Sequence, residues 1–174
     1  MIKIFSVLLL TVFSYTVSIY SFTLTGVNGQ QINFSSFEGK KILIVNIATN
    51  SADTAQLHQL QQLYEQYGDS LVVVAFPSYS FGNESHSNAE LAELLQNTYH
   101  ITFPVVELSS VTGDEANAIH KWIANKNDNG VLKSTVKADY WKYLVSSKGT
   151  LIGIFTEAVL PTDTKITNAV MSSL

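Results

Sequence analysis

Apolar positions along the chain follow two different periods. Residues 42–48 and 71–76 are nearly continuous apolar runs, with Asn46 as the polar interruption in the first. Runs of this kind are typical of strands that are covered on both faces. Between them an apolar stripe recurs at helical spacing from about residue 54 and stops before Gly68; it consists of Leu57, Leu60, Tyr64 and Tyr67. The pattern predicts strand, helix and strand, with a crossover long enough for a parallel pair.

Two hairpins are predicted, one near each end of the chain. Residues 22–25 and 31–34 flank an Asn28-Gly29 pair, and residues 143–145 and 151–155 flank Ser147, Lys148 and Gly149. Short β-prone runs separated by turn residues of this type are a strong signal for antiparallel pairing.

Three further helices are predicted from their capping signals. Ser87 and Glu90 have the spacing of a capping box before a leucine stripe, and Thr112 and Glu115 repeat that spacing before Ile119. Asp114 and Glu115 then count as first-turn helix charges rather than catalytic carboxylates. A last helix follows Pro161, with Thr162 or Asp163 as its cap and Ile166, Ala169 and Val170 as its apolar stripe. The polar residues 125–137 predict a loop.

The amino terminus has the pattern of an export signal. Lys3 precedes an uncharged apolar run over residues 4–20, and no further charge occurs before Glu38. The run is short for a membrane span of about 20 residues. We therefore predict an export signal over residues 1–20, cleavage between about residues 19 and 23, and a periplasmic or secreted domain over residues 21–174. An uncleaved anchor is the alternative, and only then would the protein contact a membrane.

Composition narrows the classes of function. A chain of 174 residues that is 46% hydrophobic can bury one substantial core. A formal charge of −4 gives no electrostatic reason to expect nucleic acid as a partner. The sequence contains no cysteine, which excludes disulfides, thiolate-bound metals, lipid attachment at cysteine and every thiol mechanism.

Several segments, in order, resemble the glutathione peroxidase family. They are residues 46–54, which resemble its active-site segment, and residues 37–46, 76–82, 102–105, 111–122 and 142–149. The resemblance runs from about residue 20 to the carboxyl terminus. It implies an α/β, thioredoxin-like fold with a central mixed β-sheet, flanking helices and an N-terminal β-hairpin. The activity it implies is thiol-dependent reduction of hydrogen peroxide and organic hydroperoxides in the response to oxidative stress, with no cofactor and no metal.

Serine stands where that family carries its reactive cysteine or selenocysteine. Ser51 is predicted just past a buried strand and at the amino end of a helix, where free N–H groups favour an anion. A cysteine there would pass through a sulfenic acid, which serine cannot form. The family's supporting glutamine, tryptophan and asparagine fall, by the same resemblance, on Ser80, Ala138 and Asp139.

Further cysteine positions of the family are also changed, because they fall on Ser78 and near Gln96. An engineered replacement of cysteine by serine would explain Ser51 and Ser78 but would leave the other substitutions unexplained. Natural decay or repurposing of the site is therefore the better account.

Other chemistries have weaker support. Ser51, Asp53 and His58 are the residue types of a hydrolase triad, but no nucleophile elbow is present. Glu84 and His86 form one metal-like pair, whereas metal sites need three or four ligands, so we expect solvated histidines at His58, His86, His100 and His120. The aromatic run Tyr140, Trp141 and Tyr143 is expected to pack on the sheet rather than to form an exposed ligand face.

Two functional hypotheses remain. In the first, the protein is a non-catalytic binding or structural module whose polar site around Ser51, Ser80 and Asp139 receives an unknown small molecule or protein. In the second, it is an oxidoreductase that acts by a route not visible in the sequence. The missing cysteine favours the first.

Overall fold

A computed structural model of the chain describes residues 16–173. Its central sheet has four strands in the order β4-β3-β5-β6. Strand β3 (Lys41–Ile47) pairs in parallel with β4 (Leu71–Pro77) and antiparallel with β5 (Lys142–Val145), which pairs in turn with β6 (Leu151–Phe155). Strands β1 (Thr23–Thr25) and β2 (Gln31–Asn33) form a separate antiparallel hairpin. The predicted mixed sheet and both predicted hairpins are confirmed.

Five helices flank the sheet in the described part of the chain. They are α1 (Gln56–Tyr67), α2 (Asn88–Asn97), α3 (Ala118–Ala124), α4 (Lys126–Asn129) and α5 (Thr164–Met171). Short 3-10 turns occur at Ile19–Ser21 and Phe34–Phe37. None of these helices is long and apolar enough to cross a membrane.

Alternation along β3 divides the core between the two faces of the sheet. Leu43, Val45 and Ile47 pack with the apolar stripes of α1, α2 and α5. Ile42 and Ile44 pack on the opposite face with α3 and the amino-terminal segment. Because every residue of β3 and β4 is buried, both strands need apolar side chains on both faces, which is why they appear as continuous runs in the sequence.

Two of the predicted helix caps are confirmed. Ser87 and Glu90 form a complete capping box at α2, and Asp163 caps α5 through the backbone N–H of Lys165. These side chains satisfy donors that the first helical turn leaves free.

The predicted cap of α3 is wrong. The helix begins at Ala118 and is capped by Asn117, whose side chain accepts from the backbone N–H of His120. Gly113, between Thr112 and Glu115, takes a left-handed conformation at φ 69°, and residues 112–115 do not belong to the helix. Asp114 and Glu115 are therefore turn residues and not first-turn charges of α3. The predicted loop 125–137 also contains the short helix α4.

Residues 16–20 contact the domain ahead of the predicted boundary. Ile19 is fully buried, and the Trp122 indole N–H donates to the backbone oxygen of Val17 at 2.8 Å. Most of the predicted export signal lies outside the described residues, so the signal and its boundary with the domain stay predictions.

Lys41, the first residue of β3, is buried beneath α5, the last helix of the chain. Its ammonium group donates to the backbone oxygens of Ala169, Val170 and Ser172. This places a positive charge at the carboxyl end of the helix, where the helix dipole favours it.

Candidate functional site

Ser51 lies in a series of turns between β3 and α1. Its backbone N–H donates to the oxygen of Ala48 at 3.3 Å, and the Thr54 hydroxyl donates to its backbone oxygen. The Asp53 backbone N–H donates to the Ser51 hydroxyl oxygen at 3.3 Å. Because α1 begins only at Gln56, Ser51 is not at the amino end of the helix as the sequence predicted. One backbone donor nevertheless faces its side chain.

A buried carboxylate fixes the start of this segment. Glu84 accepts from the backbone N–H and hydroxyl of Thr49 at 2.7 and 2.8 Å. It also accepts from the backbone N–H groups of Ser85 and His86 and from the His86 ring at 2.9 Å. Burial disfavours its charge, but these hydrogen bonds outweigh burial and hold the pKa of Glu84 below its ordinary value. Glu84 thereby joins the loop after β4 to the loop after β3.

The segment that contains Ala138 and Asp139 is held by the end of β3. The Asn46 side chain donates to the Ala138 oxygen at 2.8 Å, and the Tyr140 backbone N–H donates to the Asn46 oxygen at 2.7 Å. This pairing explains why a polar residue interrupts the apolar run of β3. It brings the Asp139 side chain to within 2.8 Å of the Asn83 amide, which donates to Asp139 Oδ2.

Asn83 connects Asp139 to the Ser51 segment. Its backbone oxygen accepts from the N–H of Asn50, the residue before Ser51, at 3.1 Å. The loop after β4, the Ser51 loop and the Asp139 segment thus meet at one end of the sheet.

Asp139 is an incompletely satisfied buried acid. The residue is only 4% exposed, and its Oδ1 atom is buried with no hydrogen-bond partner among the described residues. Burial raises the pKa of Asp139, the Asn83 bond opposes that shift, and the nearby charges of Glu84 and Asp53 add to it. The site is therefore one where a hydrogen-bond donor or a proton on Asp139 would be stabilising.

Two of the four predicted site residues contribute no side-chain hydrogen bond to the Ser51 segment. The Ser80 hydroxyl lies 3.1 Å from that of Ser110 and accepts from the Val111 backbone N–H at 3.0 Å. Ala138 meets the site only through its backbone oxygen. The hydrogen bonds of the described residues join Asp139, but not Ser80, to the Ser51 segment. Ser78 is fully buried, and Gln96 is exposed at the wall of a separate groove.

The alternative chemistries find no geometric support. His58 is exposed and packs beside Tyr99, with ring centroids 5.7 Å apart, and no hydrogen bond joins it to Ser51 or Asp53. Glu84 and His86 bond to each other, and no group of three potential metal ligands occurs in residues 16–173. Tyr140 and Tyr143 are buried, as expected.

Two functional candidates were missed by sequence reasoning. Lys142 is fully buried; its ammonium donates to the Tyr140 oxygen at 2.8 Å, and burial lowers its pKa to about 8 against the opposing effect of Asp53 and Glu157. His120, expected to be solvated, is 3% exposed. A lysine directly before a predicted strand was a usable signal for the first, whereas no local signal marked the second.

Comparisons with known proteins agree with this geometry. Residues 19–124 match the family model described as glutathione peroxidase. The chain is 33% identical over 144 residues to glutathione peroxidase-like peroxiredoxin GPX5 of Chlamydomonas reinhardtii, covering 82% of this chain and 88% of the relative.

Solved structures extend the similarity to the fold. The crystal structure of Trgpx in apo form superposes with a TM-score of 0.66 at 27% identity, over 90% of this chain and 95% of that one. A thioredoxin family protein from Chlorobium tepidum TLS, a thiol:disulfide interchange protein, superposes with a TM-score of 0.62 at 15% identity, over 90% and 97% of the two chains. The predicted thioredoxin-like fold is confirmed. Since the family model covers more than half of the chain and the relatives cover most of it, this chain, which has no cysteine, belongs to the glutathione peroxidase family.

Proposed function

We propose that this protein is a non-catalytic member of its family that has kept the scaffold of the site and lost the thiol reaction. The observation that carries the proposal is Ser51, in a sequence that contains no cysteine. Reduction of a hydroperoxide needs a nucleophile that can be oxidised and then restored, and a serine hydroxyl has no such cycle. The relatives named as peroxidases support the scaffold's origin and not its present activity.

The altered site is instead suited to a hydrogen-bond donor. Asp139 offers a buried, unpartnered carboxylate oxygen, and Glu84 and Asp53 make its surroundings more negative. Such a site disfavours a thiolate or any other anion and favours an ammonium or amide N–H group. We infer a role in binding a ligand or partner that presents such a group beside Ser51.

Peroxide consumption tests the loss of catalysis. We expect turnover of hydrogen peroxide and of a lipid hydroperoxide, with glutathione and with thioredoxin as reductants, to equal that of buffer. Ser51→Ala serves as the matched control and should behave identically. Steady consumption that disappears in Ser51→Ala would instead support the oxidoreductase alternative.

Binding is tested separately with methylammonium as the probe. Titration followed by amide NMR shifts should perturb residues near Asn83 and Asp139 in the wild-type protein, and Asp139→Asn should weaken the response at least several-fold. Equal responses in both proteins would remove Asp139 from the proposal and leave the peroxidase result untouched.

We also propose that the protein is exported, on the basis of the charge-poor run after Lys3. Burial of Ile19 favours a cleavage point at the amino-terminal end of the predicted range, because a later cut would remove a core side chain. Mass spectrometry of protein made in an exporting host should find a mature terminus at or just before Ile19. An intact Met1 in a membrane fraction would contradict export with cleavage.

A further inference from the structure

The two edges of the central sheet differ in what covers them. At β4, the Ala75 backbone N–H donates to the Pro104 oxygen at 3.0 Å, and the Ala75 oxygen accepts from the Val106 N–H at 2.9 Å. A later segment of the chain thus covers that edge. At β6, in the described part of the chain, no backbone hydrogen bond outside the β5 ladder involves residues 151–155. An edge strand of this kind presents unpaired donors and acceptors.

The ladder between β3 and β5 shows which residues of β6 face outward. The Asn46 N–H donates to the Trp141 oxygen, so odd-numbered residues of β5 direct their backbone groups to β3 and even-numbered residues direct theirs to β6. Leu144 lies opposite Gly153, and the next pair along the ladder includes Ile154. Gly153 therefore bonds towards β5, and the N–H and C=O of Ile154 point to the free edge.

The β6 edge has few of the features that keep such an edge from pairing. Residues 149–156 contain neither a charge nor a proline. One irregularity is present, because Ile152 is an extra residue opposite the step from Leu144 to Val145. The extra residue of a β-bulge is left out of the ladder, so the backbone of Ile152 also lacks a partner in β5. Its side chain is 36% exposed.

The sequence of β6 is nearly the same in both directions. Residues 150–156 run threonine, leucine, isoleucine, glycine, isoleucine, phenylalanine, threonine, with Gly153 at the centre. Antiparallel pairing with a second copy, about a two-fold axis at Gly153, sets threonine against threonine and isoleucine against isoleucine. Leu151 then opposes Phe155. Cross-strand pairs of these types stabilise a sheet.

The residues that flank β6 carry opposite charges. Lys148 precedes the strand and Glu157 follows it. In the pairing about Gly153, Glu157 of one copy lies opposite Gly149 of the other copy and next to its Lys148. Each end of the shared ladder thus holds one pair of opposite charges. A parallel pairing in register sets like charges together instead, which disfavours it.

Exposed apolar side chains lie beside the same edge. Gly130 lies against Thr150, since a Cβ on Gly130 would be 3.6 Å from Thr150 Cγ2. The next two residues, Val131 and Leu132, are 42% and 40% exposed. Together with Ile152 they place apolar surface next to unpaired backbone groups, a combination that marks surfaces where proteins associate.

We propose that β6 pairs antiparallel with β6 of a second copy of this chain, which joins two four-stranded sheets into one of eight strands. The near-palindromic sequence and the opposite flanking charges select a copy of this chain over an unrelated strand. The two-fold axis closes the assembly at a dimer, because the β4 edge is covered. One short strand makes a small interface, so we expect a reversible dimer with a Kd of about 10 μM.

Sedimentation equilibrium of the purified chain measures this association. Ile152→Lys places a charge at the edge of each copy and should raise the dimer Kd at least about ten-fold. Met171→Lys, the same type of change at a side chain that is 62% exposed on α5, should leave the Kd unchanged. A wild-type protein that stays monomeric up to about 1 mM would overturn the proposal, as would equal Kd values for the two variants.

Amide hydrogen exchange tests the pairing without a variant. Exchange at Ile154 should slow as the concentration of wild-type protein rises, whereas exchange at Ala75, on the covered edge, should not change. Should Ile152→Lys not fold, this measurement still decides the question, and exchange at Ile154 that is independent of concentration would contradict the pairing.

The charges at the ends of the ladder test the direction of pairing. Lys148→Glu sets like charges at both ends and should raise the Kd about three-fold, whereas Lys165→Glu, on α5, should have no effect. A tighter dimer in Lys148→Glu would exclude the antiparallel arrangement about Gly153.

Discussion

Two buried carboxylates lie at the same end of the sheet, and they differ in their hydrogen bonding and in the direction of their pKa shifts. Glu84 accepts hydrogen bonds from Thr49, Ser85 and His86, and its pKa is lowered. Asp139, equally buried, accepts one bond from Asn83, leaves one oxygen unpartnered and has a raised pKa. Both residues are buried to a similar degree, so the number of donors, together with the charges of Glu84 and Asp53 near Asp139, accounts for the difference. Glu84 joins two loops of the scaffold, and Asp139 keeps one carboxylate oxygen without a hydrogen-bond partner among the described residues.

The largest effect is expected at Glu84. Glu84→Gln removes the charge from a site filled with donors and turns one of its two acceptor atoms into an amide donor facing them. We expect a loss of about 3 kcal/mol in the free energy of unfolding, because hydrogen bonds to a buried charge are the strong ones. Urea unfolding at neutral pH measures it. A loss no larger than that of an exposed control, Glu93→Gln, would show that the carboxylate does not join the two loops.

A thiol placed at residue 51 should report on Asp139. In Ser51→Cys the nearby acidic groups oppose a thiolate, so the thiol pKa should lie at or above the ordinary value of about 8.5. Adding Asp139→Asn should lower the pKa of that thiol by about one unit, equivalent to about 1.4 kcal/mol. Alkylation rate against pH gives both values.

The full set of family residues sharpens the same measurement. Ser80→Gln and Ala138→Trp, added to Ser51→Cys and Asp139→Asn, should lower the thiol pKa further and accelerate reaction with peroxide. If Ser51→Cys alone titrates well below pH 7 and reduces peroxide quickly, the site is still a peroxidase site that lacks one atom, and repurposing loses its support.

A smaller effect is expected when Asp139 alone is changed. Asp139→Asn keeps an acceptor for the Asn83 amide and removes a buried charge with few partners. We expect the free energy of unfolding at neutral pH to change by less than about 1 kcal/mol, in either direction. The same urea experiment measures it, and a loss matching that of Glu84→Gln would erase the contrast between the two carboxylates.

The pH dependence of unfolding should differ in sign between the two acids. The lowered pKa of Glu84 stabilises the fold above its ordinary value of 4.5, and that stability is lost as the pH falls below it. The raised pKa of Asp139 stabilises the fold below its ordinary value of 3.8, and that stability is lost as the pH rises through the folded-state pKa.

Differences between wild type and each variant, measured from about pH 3 to 7, isolate these opposite slopes. Other titrating groups, His120 among them, cancel in the difference. Slopes of the same sign for Glu84→Gln and Asp139→Asn would contradict the assignment of one satisfied and one unsatisfied acid.

Periodicity predicted the strands and most helices because both faces of the sheet are covered. Every position of β3 and β4 is buried, so both strands appear in the sequence as runs of consecutive, mostly apolar residues. The cap of α3 was mispredicted for a local reason, because Gly113 takes a left-handed conformation directly after Thr112 and the helix begins only after Asn117.

The hydrogen bonds of the site were not predictable, because they join residues that are distant in sequence. The resemblance to the family identified Ser51 and Asp139 as site residues. It did not indicate their partners, because Asp139 bonds to Asn83, 56 residues away, and Glu84 bonds to Thr49, 35 residues away. His120 was expected in solvent with the other scattered histidines, because the sequence shows no set of three or four metal ligands; the structure buries it instead. The segment 134–136 covers α3 from another side, and nothing in its polar composition indicated that.

The hydrogen bond from Trp122 to Val17 has a spectroscopic consequence. The chain contains two tryptophans, and they lie in different surroundings: Trp122 is buried against the amino-terminal segment, and Trp141 donates to Glu157 at 2.7 Å and is partly exposed. Tryptophan emission from Trp141→Phe therefore comes from Trp122 alone. Its wavelength would shift to the red whenever residues 17–19 leave the domain, which provides an intrinsic optical reporter of how the amino terminus is trimmed or docked.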